Sequence, residues 1–452
     1  MRIAGGTRAG PCATGNRLSP INLLINLDHL NQYVAMDDEF IPAAQACELL
    51  GITPATLYAY VSRGLVQSRP GADHRSRAYR RSDVDKLLQR KRAGRGAARG
   101  AAQSLDRGLP VMETRISLIR ADGPYYRGRS AVALAGGGAT LEDTARLLWE
   151  CGNEDPFARR LEPEWPGTVR AVAGDARLPP LERAMAAIPL LALEVRHSFS
   201  SSGTVRREIA ATLLRQNAAL VAGVAPANAP VHLLLARHWK PRDPRFAEMV
   251  RAALVLCADH ELNVSAFAAR VVASTGAHLH ATVCTGLSAL SGPRHGGATA
   301  RAPALIGEAL AAPSPGAHVA ARWGRGDDLP GFGHALYPDG DPRAAALLEM
   351  LRDARGRSPA MRGLEQVISA AEDASGQRPN IDLLLAALCH AHGLPAAPAL
   401  VMFAAGRLAG WLAHALEQQA SDMLIRPRAR YVGEQPAAGD GTSTEQGGAA
   451  ID

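Results

Sequence analysis

The stretch from Val271 to Leu290, VVASTGAHLHATVCTGLSAL, decides how this chain is read. It is rich in small residues (Ala273, Ser274, Gly276, Ala277, Ala281, Gly286 and Ala289), which let helices approach one another closely. The same texture extends outward on both sides. Thr140 stands before Leu141–Trp149, whose apolar residues recur at helical spacing, so it reads as the cap of a helix. Ala184–Leu193 is an apolar run too short to span a bilayer, which predicts a buried helix. Ala and Leu are plentiful and aromatics are only 4%, a bias toward helix over sheet. There is no alternating strand series and no GxGxxG or GxxxxGK[ST] loop. From Asp106 to about Gly433 the expected class is all-α.

Four islands interrupt the helical background. They are Asp259-His260-Glu261-Leu262-Asn263-Val264-Ser265, Gly292-Pro293-Arg294-His295-Gly296-Gly297-Ala298, Gly331-Phe332-Gly333-His334-Ala335-Leu336-Tyr337 with Asp341-Pro342-Arg343, and Asn380-Ile381-Asp382. A single His in a helical protein is more often structural than catalytic. Two of them in glycine-framed loops, each with polar company, favour a ligand site, because glycine lets backbone pack against a ligand.

These islands closely resemble the citrate synthase family, and the match covers about 330 residues in the family's order. Tyr126-Arg127-Gly128, Gly406-Arg407, Gly410-Trp411 and Arg426-Pro427-Arg428 with Tyr431 extend it. Arg294 and Ala335 occupy variable positions inside otherwise intact motifs.

The resemblance implies a multi-helical two-domain citrate synthase fold, with a small domain over roughly residues 297–392 that closes on the large one. It also implies an acyltransferase that deprotonates acetyl-CoA, adds the enol to oxaloacetate and hydrolyses the thioester to citrate and CoA. Asp382 matches the family's base, His295 the group that stabilises the enol, and His334 the donor to the oxaloacetate ketone. Each such role contributes about 10²–10⁴-fold in rate. His260, Arg343, Arg407 and Arg426 match the oxaloacetate-binding positions, where a guanidinium fork can hold a carboxylate. The residue matching Arg426 reaches into the partner's site, so a homodimer with shared active sites is implied. No cofactor is expected beyond the coenzyme A thioester substrate, and no metal.

Two alternatives accompany this expectation. One is 2-methylcitrate formation from propionyl-CoA, since one methylene supplies only about 1–3 kcal/mol of discrimination. The other is a DNA-binding regulator that senses a metabolite through a citrate-synthase-like domain. A sensor needs the arginine anchors but not the full set His295, His334 and Asp382.

The second alternative draws on residues 39–92. Ile41–Leu50 has a short helical pattern stopped by Gly51. Thr53-Pro54 then offers a favoured N-cap and first helical residue for a second helix through Leu57, Tyr58 and Val61 to Arg63, ended by Gly64. A Gly- and Arg-rich hairpin-like stretch from Arg69 to Tyr79 follows. Ser82 is read as the cap of a third helix through Leu87 and Leu88.

That order resembles the winged helix-turn-helix of the mercury-resistance-regulator and excisionase families. Arg63, Arg69, Arg75, Arg77, Arg80 and Arg81 are then the phosphate-contact candidates. The formal charge of the whole chain is +7. Residues 63–99 alone hold twelve Lys/Arg against three Asp, so the basic character resides in this segment. An assembly surface of the same fold, without DNA contact, is the competing use.

Residues 93–105, with Gly94, Gly96 and Gly100, read as a linker, and 106–433 as the citrate synthase domain. Residues 1–38 read as a disordered arm or an over-extended start ahead of the patterned segment that follows Met36. The Gly- and Thr-rich 434–452 read as a disordered tail. Cys12, Cys47, Cys151, Cys257, Cys284 and Cys389 form no CxxC pair, which fits a reducing cytoplasm rather than a disulfide or zinc framework. No stretch of 18 consecutive apolar residues predicts a membrane span, and no signal peptide is evident.

Overall fold

Local capping chemistry sets where the helices begin. The computed structural model describes residues 40–62, 66–71, 76–85, 112–356, 358–421, 423–427 and 433. Expectations for residues 1–38, 93–105 and 434–452, and for Arg63, Arg75, Leu87, Leu88, Arg428 and Tyr431, lie outside them. The chain divides into two compact units, Met1–Met112 and Glu113–Asp452.

In the first unit, β1 (Phe40–Pro42) precedes α1 (Ala43–Leu50) and α2 (Pro54–Ser62), followed by β2 (Ser68–Pro70) and β3 (Arg77–Arg80). Gly51 ends α1 in the left-handed conformation that glycine adopts without strain. The Thr53 hydroxyl accepts from the Thr56 amide at the head of α2, as Thr53-Pro54 predicts. The sheet is antiparallel in the order β1-β3-β2, with Phe40 opposite Arg80 and Ser68 opposite Tyr79. Its own core comprises Ile41, Ala46, Leu50, Leu57, Val66, Tyr79 and Val84.

Two details depart from expectation. Residues 40–42 form an edge strand instead of opening the helix, since Pro42 fits an edge and the entry to α1. The last helical segment begins at Arg81, so Ser82 lies inside it and Arg81 pairs with Asp85 one turn on.

The second unit opens with a small antiparallel sheet, β4 (Ser117–Arg120), β5 (Gly123–Tyr126) and β6 (Arg129–Ser130). Strands of two to four residues are too short to show alternation in sequence, which is why they were not foreseen. Helices then follow: α3 (Ala131–Gly136), α4 (Leu141–Leu148), α5 (Gly167–Ala173), α6 (Pro180–Leu193), α7 (Gly203–Ala222), α8 (Val231–Trp239) and α9 (Pro244–Cys257). Next come α10 (Val264–Ala273), α11 (Leu279–Leu290), α12 (Gly297–Ala311), α13 (Pro315–Gly324), α14 (Pro342–Arg355), α15 (Pro359–Ser375), α16 (Ile381–Ala391) and α17 (Ala397–Ser421). Thr140 closes a capping box with Asp143 at the head of α4. The unit is all-α around its small sheet, as the sequence predicted.

The small residues of 271–290 act as expected, although Gly276 divides the stretch between α10 and α11. A Cβ on Gly286 would lie 2.6 Å from the Trp411 ring, so glycine is what allows α11 to seat against α17. Helix α17 is long and apolar enough to cross a membrane by length and composition. It is instead the central helix of the unit, with 89% of its apolar window buried. It packs on α7, α9, α10 and α11.

Candidate active site

Four chain segments converge where helices start or stop, and a fifth, in the middle of α17, runs past them. The end of α9 delivers Asp259 and His260. The loop before α12 delivers His295, and the loop before α14 delivers His334, Tyr337, Asp341 and Arg343. The N-terminus of α16 presents Asp382, and the middle of α17 contributes Arg407.

His260 is buried, and its Nε2 lies 2.9 Å from the Tyr337 hydroxyl. The rings of His260 and His334 sit edge to face, with centroids 5.2 Å apart. The His334 Nδ1 accepts from the Leu336 amide at 3.1 Å. In the neutral ring the proton therefore belongs on Nε2, 3.5 Å from Arg343 Nη2. Two donors thus face the same point, and the species that satisfies both is an anionic or carbonyl oxygen.

Arg343 and Arg407 are each only 2% exposed. Arg343 directs Nε and Nη2 to the two oxygens of Asp341, at 2.9 and 2.8 Å, and Asp341 also accepts from the Ile381 amide. The fork expected to grip a substrate carboxylate is therefore already engaged, which leaves Nη1 and the remaining proton of Nη2. Asp341 is held below the ordinary carboxylate range by Arg343, which outweighs the opposing effect of burial. Arg407 donates Nε to the Cys257 carbonyl at 2.8 Å and stacks over Phe403, so its two terminal nitrogens stay uncommitted among the described residues.

Asp382 is half-buried in the first turn of α16. Its amide donates to the cap residue Asn380, and its carboxylate accepts from the Thr299 hydroxyl on α12. Burial raises its pKa above the usual carboxylate range, against the lowering effects of Thr299 and Arg343. A carboxylate so placed is a stronger base than a solvated one.

His295 is tied to the rest of the site through one hydroxyl. Its Nε2 lies 2.7 Å from Ser265 Oγ, which also receives the Trp411 indole proton at 3.0 Å and lies 2.7 Å from Asn263 Oδ1. Burial, reinforced by Arg407, pushes the His295 pKa down to about 4, so the ring is neutral at pH 7. The pKa values of His260 and His334 are lowered too, first by burial and then by Arg343.

His260, His334, Arg343 and Arg407 are thus brought into one buried group beside Asp382 and His295. Arg426 is not; it lies exposed beyond α17, where the neighbouring Ile425 amide donates to Ser274. Among the described residues no hydrogen bond or ion pair links Arg426 to that group.

Ser265, Thr299, Asp341 and Trp411 orient the set; the sequence motifs include Ser265, Asp341 and Trp411 but assign none of the four a task in the site. Asp341 is legible in hindsight, because Asp-Pro before a helix marks an N-cap whose carboxylate faces the first turn. Thr299 carries no local signal.

Beside His334 opens a cavity of about 410 Å³, lined by Phe332, Tyr337, Asp341, Gln377 and Arg378 among others. It joins His334 to the guanidinium of Arg378.

Comparison with known proteins places these features. The model of the citrate synthase C-terminal domain family matches residues 104–428, and a helix-turn-helix domain model matches residues 43–92. Citrate synthase 2 of Bacillus subtilis is 35% identical over 193 residues, 42% of this chain and 52% of that protein. Putative citrate synthase 2 of Mycobacterium tuberculosis is 40% identical over 205 residues, 43% of this chain and 53% of that protein. The 2-methylcitrate synthase of Shewanella oneidensis is 34% identical over 209 residues, 45% and 56% of the two chains. The chain spans about half the length of the curated relatives it matches. Among solved structures, citrate synthase of Pyrobaculum aerophilum superposes with a TM-score of 0.59 at 26% identity, covering 73% of this chain and 91% of that one. The Thermoplasma acidophilum citrate synthase, solved with carboxymethyl coenzyme A and oxaloacetate, shares the fold at a TM-score of 0.59 and 22% identity, covering 73% and 95%.

Proposed function

The chain belongs to the citrate synthase family, and we propose that it condenses acetyl-CoA with oxaloacetate to citrate and CoA. The observation that carries this is the meeting of a raised-pKa carboxylate, Asp382, with two neutral histidines and two buried arginines. Asp382 removes a proton from the acetyl methyl group. His295 donates a hydrogen bond from Nδ1 to the thioester oxygen as the enol forms. Ser265 gives its one hydroxyl proton to Asn263 Oδ1 and receives that of the Trp411 indole, so this assignment needs the Ser265 hydroxyl to turn its proton from Asn263 to His295 Nε2.

The enol carbon then attacks the oxaloacetate ketone, and His334 donates its Nε2 proton to the oxygen that becomes the hydroxyl. Water cleaves the resulting citryl thioester to citrate and CoA. Neutral imidazoles suit both steps, since each must offer one proton without carrying a charge into a desolvated site. Arg407, the uncommitted nitrogens of Arg343, and His260 receive the oxaloacetate carboxylates. The coenzyme A chain enters the cavity edged by Gln377 and Arg378. Arg426 completes the site of a partner subunit in a homodimer, which accounts for its distance from its own chain's site. A small domain over roughly 297–392 closes to exclude water while the enol exists.

Propionyl-CoA as substrate, giving 2-methylcitrate, is the second reading, because relatives of nearly equal identity carry both names. DNA contact through residues 39–92 rests on the helix-turn-helix match and the exposed Arg69 and Arg77. The cytoplasm is the compartment proposed, in keeping with the free cysteines Cys47, Cys151, Cys257, Cys284 and Cys389.

One experiment tests the core of this proposal. CoA release is measured from acetyl-CoA or propionyl-CoA with oxaloacetate, for the native chain and for Asp382→Asn. The native chain is expected to turn over, and the variant to lose about 10²–10⁴-fold while still binding oxaloacetate. Mixing Asp382→Asn with Arg426→Ala under subunit exchange is expected to restore part of the activity. Near-native turnover by Asp382→Asn removes it from the base role, and no restoration despite exchange removes Arg426 from the shared site.

A further inference from the structure

A second cavity, of about 500 Å³, opens between the β5–β6 turn and helix α4. Arg127, Arg129 and Arg146 line it together with Asp143 and Glu150. Three guanidiniums around one space repel one another unless an anion lies among them. The two acids offset two of the three cations and leave a net charge of +1 at the cavity. Asp143 is committed to the capping box with Thr140, through both the amide and the hydroxyl of that residue. Glu150 pairs with Arg127 at 2.8 Å. That leaves Arg129, which has no ion pair among the described residues, and Arg146, whose Nε is buried without a hydrogen-bond partner.

The backbone at the wall of this cavity follows from turn and helix-end geometry. Among the described residues only Arg127, Glu150 and Glu261 hold positive φ without being glycine, at 45°, 52° and 54°. Glu261 adjoins His260 in the candidate active site. The other two are the ion pair that walls this cavity. Arg127 and Gly128 form the two-residue turn between β5 and β6, and Glu150 follows the end of α4, where the Cys151 amide returns to the Arg146 carbonyl. The Leu148 carbonyl accepts Arg127 Nε at 2.9 Å, which fixes that side chain along the cavity wall.

We propose that this cavity is a binding site for a phosphate-bearing anion, separate from the candidate active site. Planar guanidinium forks match phosphate oxygens in geometry as well as charge. A space of this volume takes more than one phosphate group, so the ligand class is a phosphorylated metabolite. Both walls also touch the catalytic framework. Tyr126, next to Arg127, bonds the Asp259 carbonyl through its hydroxyl at 3.2 Å, and Trp149, next to Glu150, donates to the Ala409 carbonyl of α17 at 2.9 Å.

Pyrophosphate is the probe, titrated calorimetrically into the full chain at low salt. The native protein is expected to bind it, with Arg129→Ala and Arg146→Gln each weakening binding about tenfold or more, and Arg378→Ala leaving it intact. Arg129 is exposed, so its variant remains decisive even if Arg146→Gln fails to fold. Absence of binding by the native chain, unchanged affinity in Arg129→Ala, or loss in Arg378→Ala instead would each overturn the proposal. The last outcome would place the anion in the cavity beside His334.

Discussion

Arginine is the principal cation of both units, yet it does opposite work in them. In the second unit, Arg343 and Arg407 are 2% exposed and held by Asp341 and the Cys257 carbonyl. In the first, Arg69 lies over the Phe40 ring and Arg77 donates to Ser68, both exposed to water. A buried guanidinium acts at short range and at full strength, because no solvent or salt intervenes. An exposed one acts through a field that salt screens. The contrast separates a site suited to the small dianion proposed as its substrate from a surface suited to the polyanion proposed as its partner.

The largest effect that could break this contrast is expected at Arg407. Arg407→Ala removes a desolvated donor and leaves the Cys257 carbonyl without its partner. Truncating one member of a buried charged contact costs about 2–5 kcal/mol. That corresponds to a loss of at least roughly thirtyfold in kcat/KM for oxaloacetate. The loss is expected to stay nearly constant between low and physiological salt. A deficit that salt abolishes would mean that Arg407 steers substrate from a distance and does not grip it.

A smaller effect follows from the buried histidines. His295 titrates near 4 in the fold against 6.5 when solvated, and the pKa values of His260 and His334 move the same way. The unfolded chain therefore takes up protons below pH 6.5 that the folded chain refuses until about pH 4. Stability is expected to fall as pH drops through that window. Asp382 and Glu142 oppose the trend, since their raised pKa values relieve the fold on acidification, but His232, His280, His390 and His392 are lowered as well and reinforce it. The urea midpoint is expected to be lower at pH 5 than at pH 7.5, while the acid limb of kcat/KM lies below the ordinary histidine range. An acid limb at pH 6.5 with an unchanged midpoint would show these rings to be solvated.

How much of this was legible in the sequence depends on whether a signal was local. Thr140 and the small residues at 273, 281 and 286 announced a cap and a close helix contact, because each acts on its own turn or on its immediate neighbour. The loop residues His260, His295 and His334, and Asp382 in the first turn of α16, were found through a family's motifs. Their meeting in space could not be read from spacing, since 122 positions separate the first from the last. The β4–β6 sheet escaped notice because strands so short carry no period. Arg146 gave no signal at all, for its unpartnered Nε depends on what surrounds it.

The smallest effect is expected in the first unit, and it sharpens the contrast from the other side. If residues 39–92 hold DNA through exposed arginines, log affinity falls linearly with log salt, with a slope of about −0.9 per phosphate contacted. Arg69→Ala with Arg77→Ala is expected to flatten that slope by up to about two contacts, a modest change in affinity near physiological salt. Neither side chain belongs to the seven-residue core of Ile41, Ala46, Leu50, Leu57, Val66, Tyr79 and Val84, so the fold of the unit is expected to survive. CoA release is expected to be unchanged, because the residues proposed as catalytic all belong to the other unit. Binding that is absent even at low salt, together with an altered oligomeric state when residues 1–92 are removed, would assign the module to assembly. Arg69 would then serve by its stacking on Phe40, a contact that exposure weakens but salt barely touches.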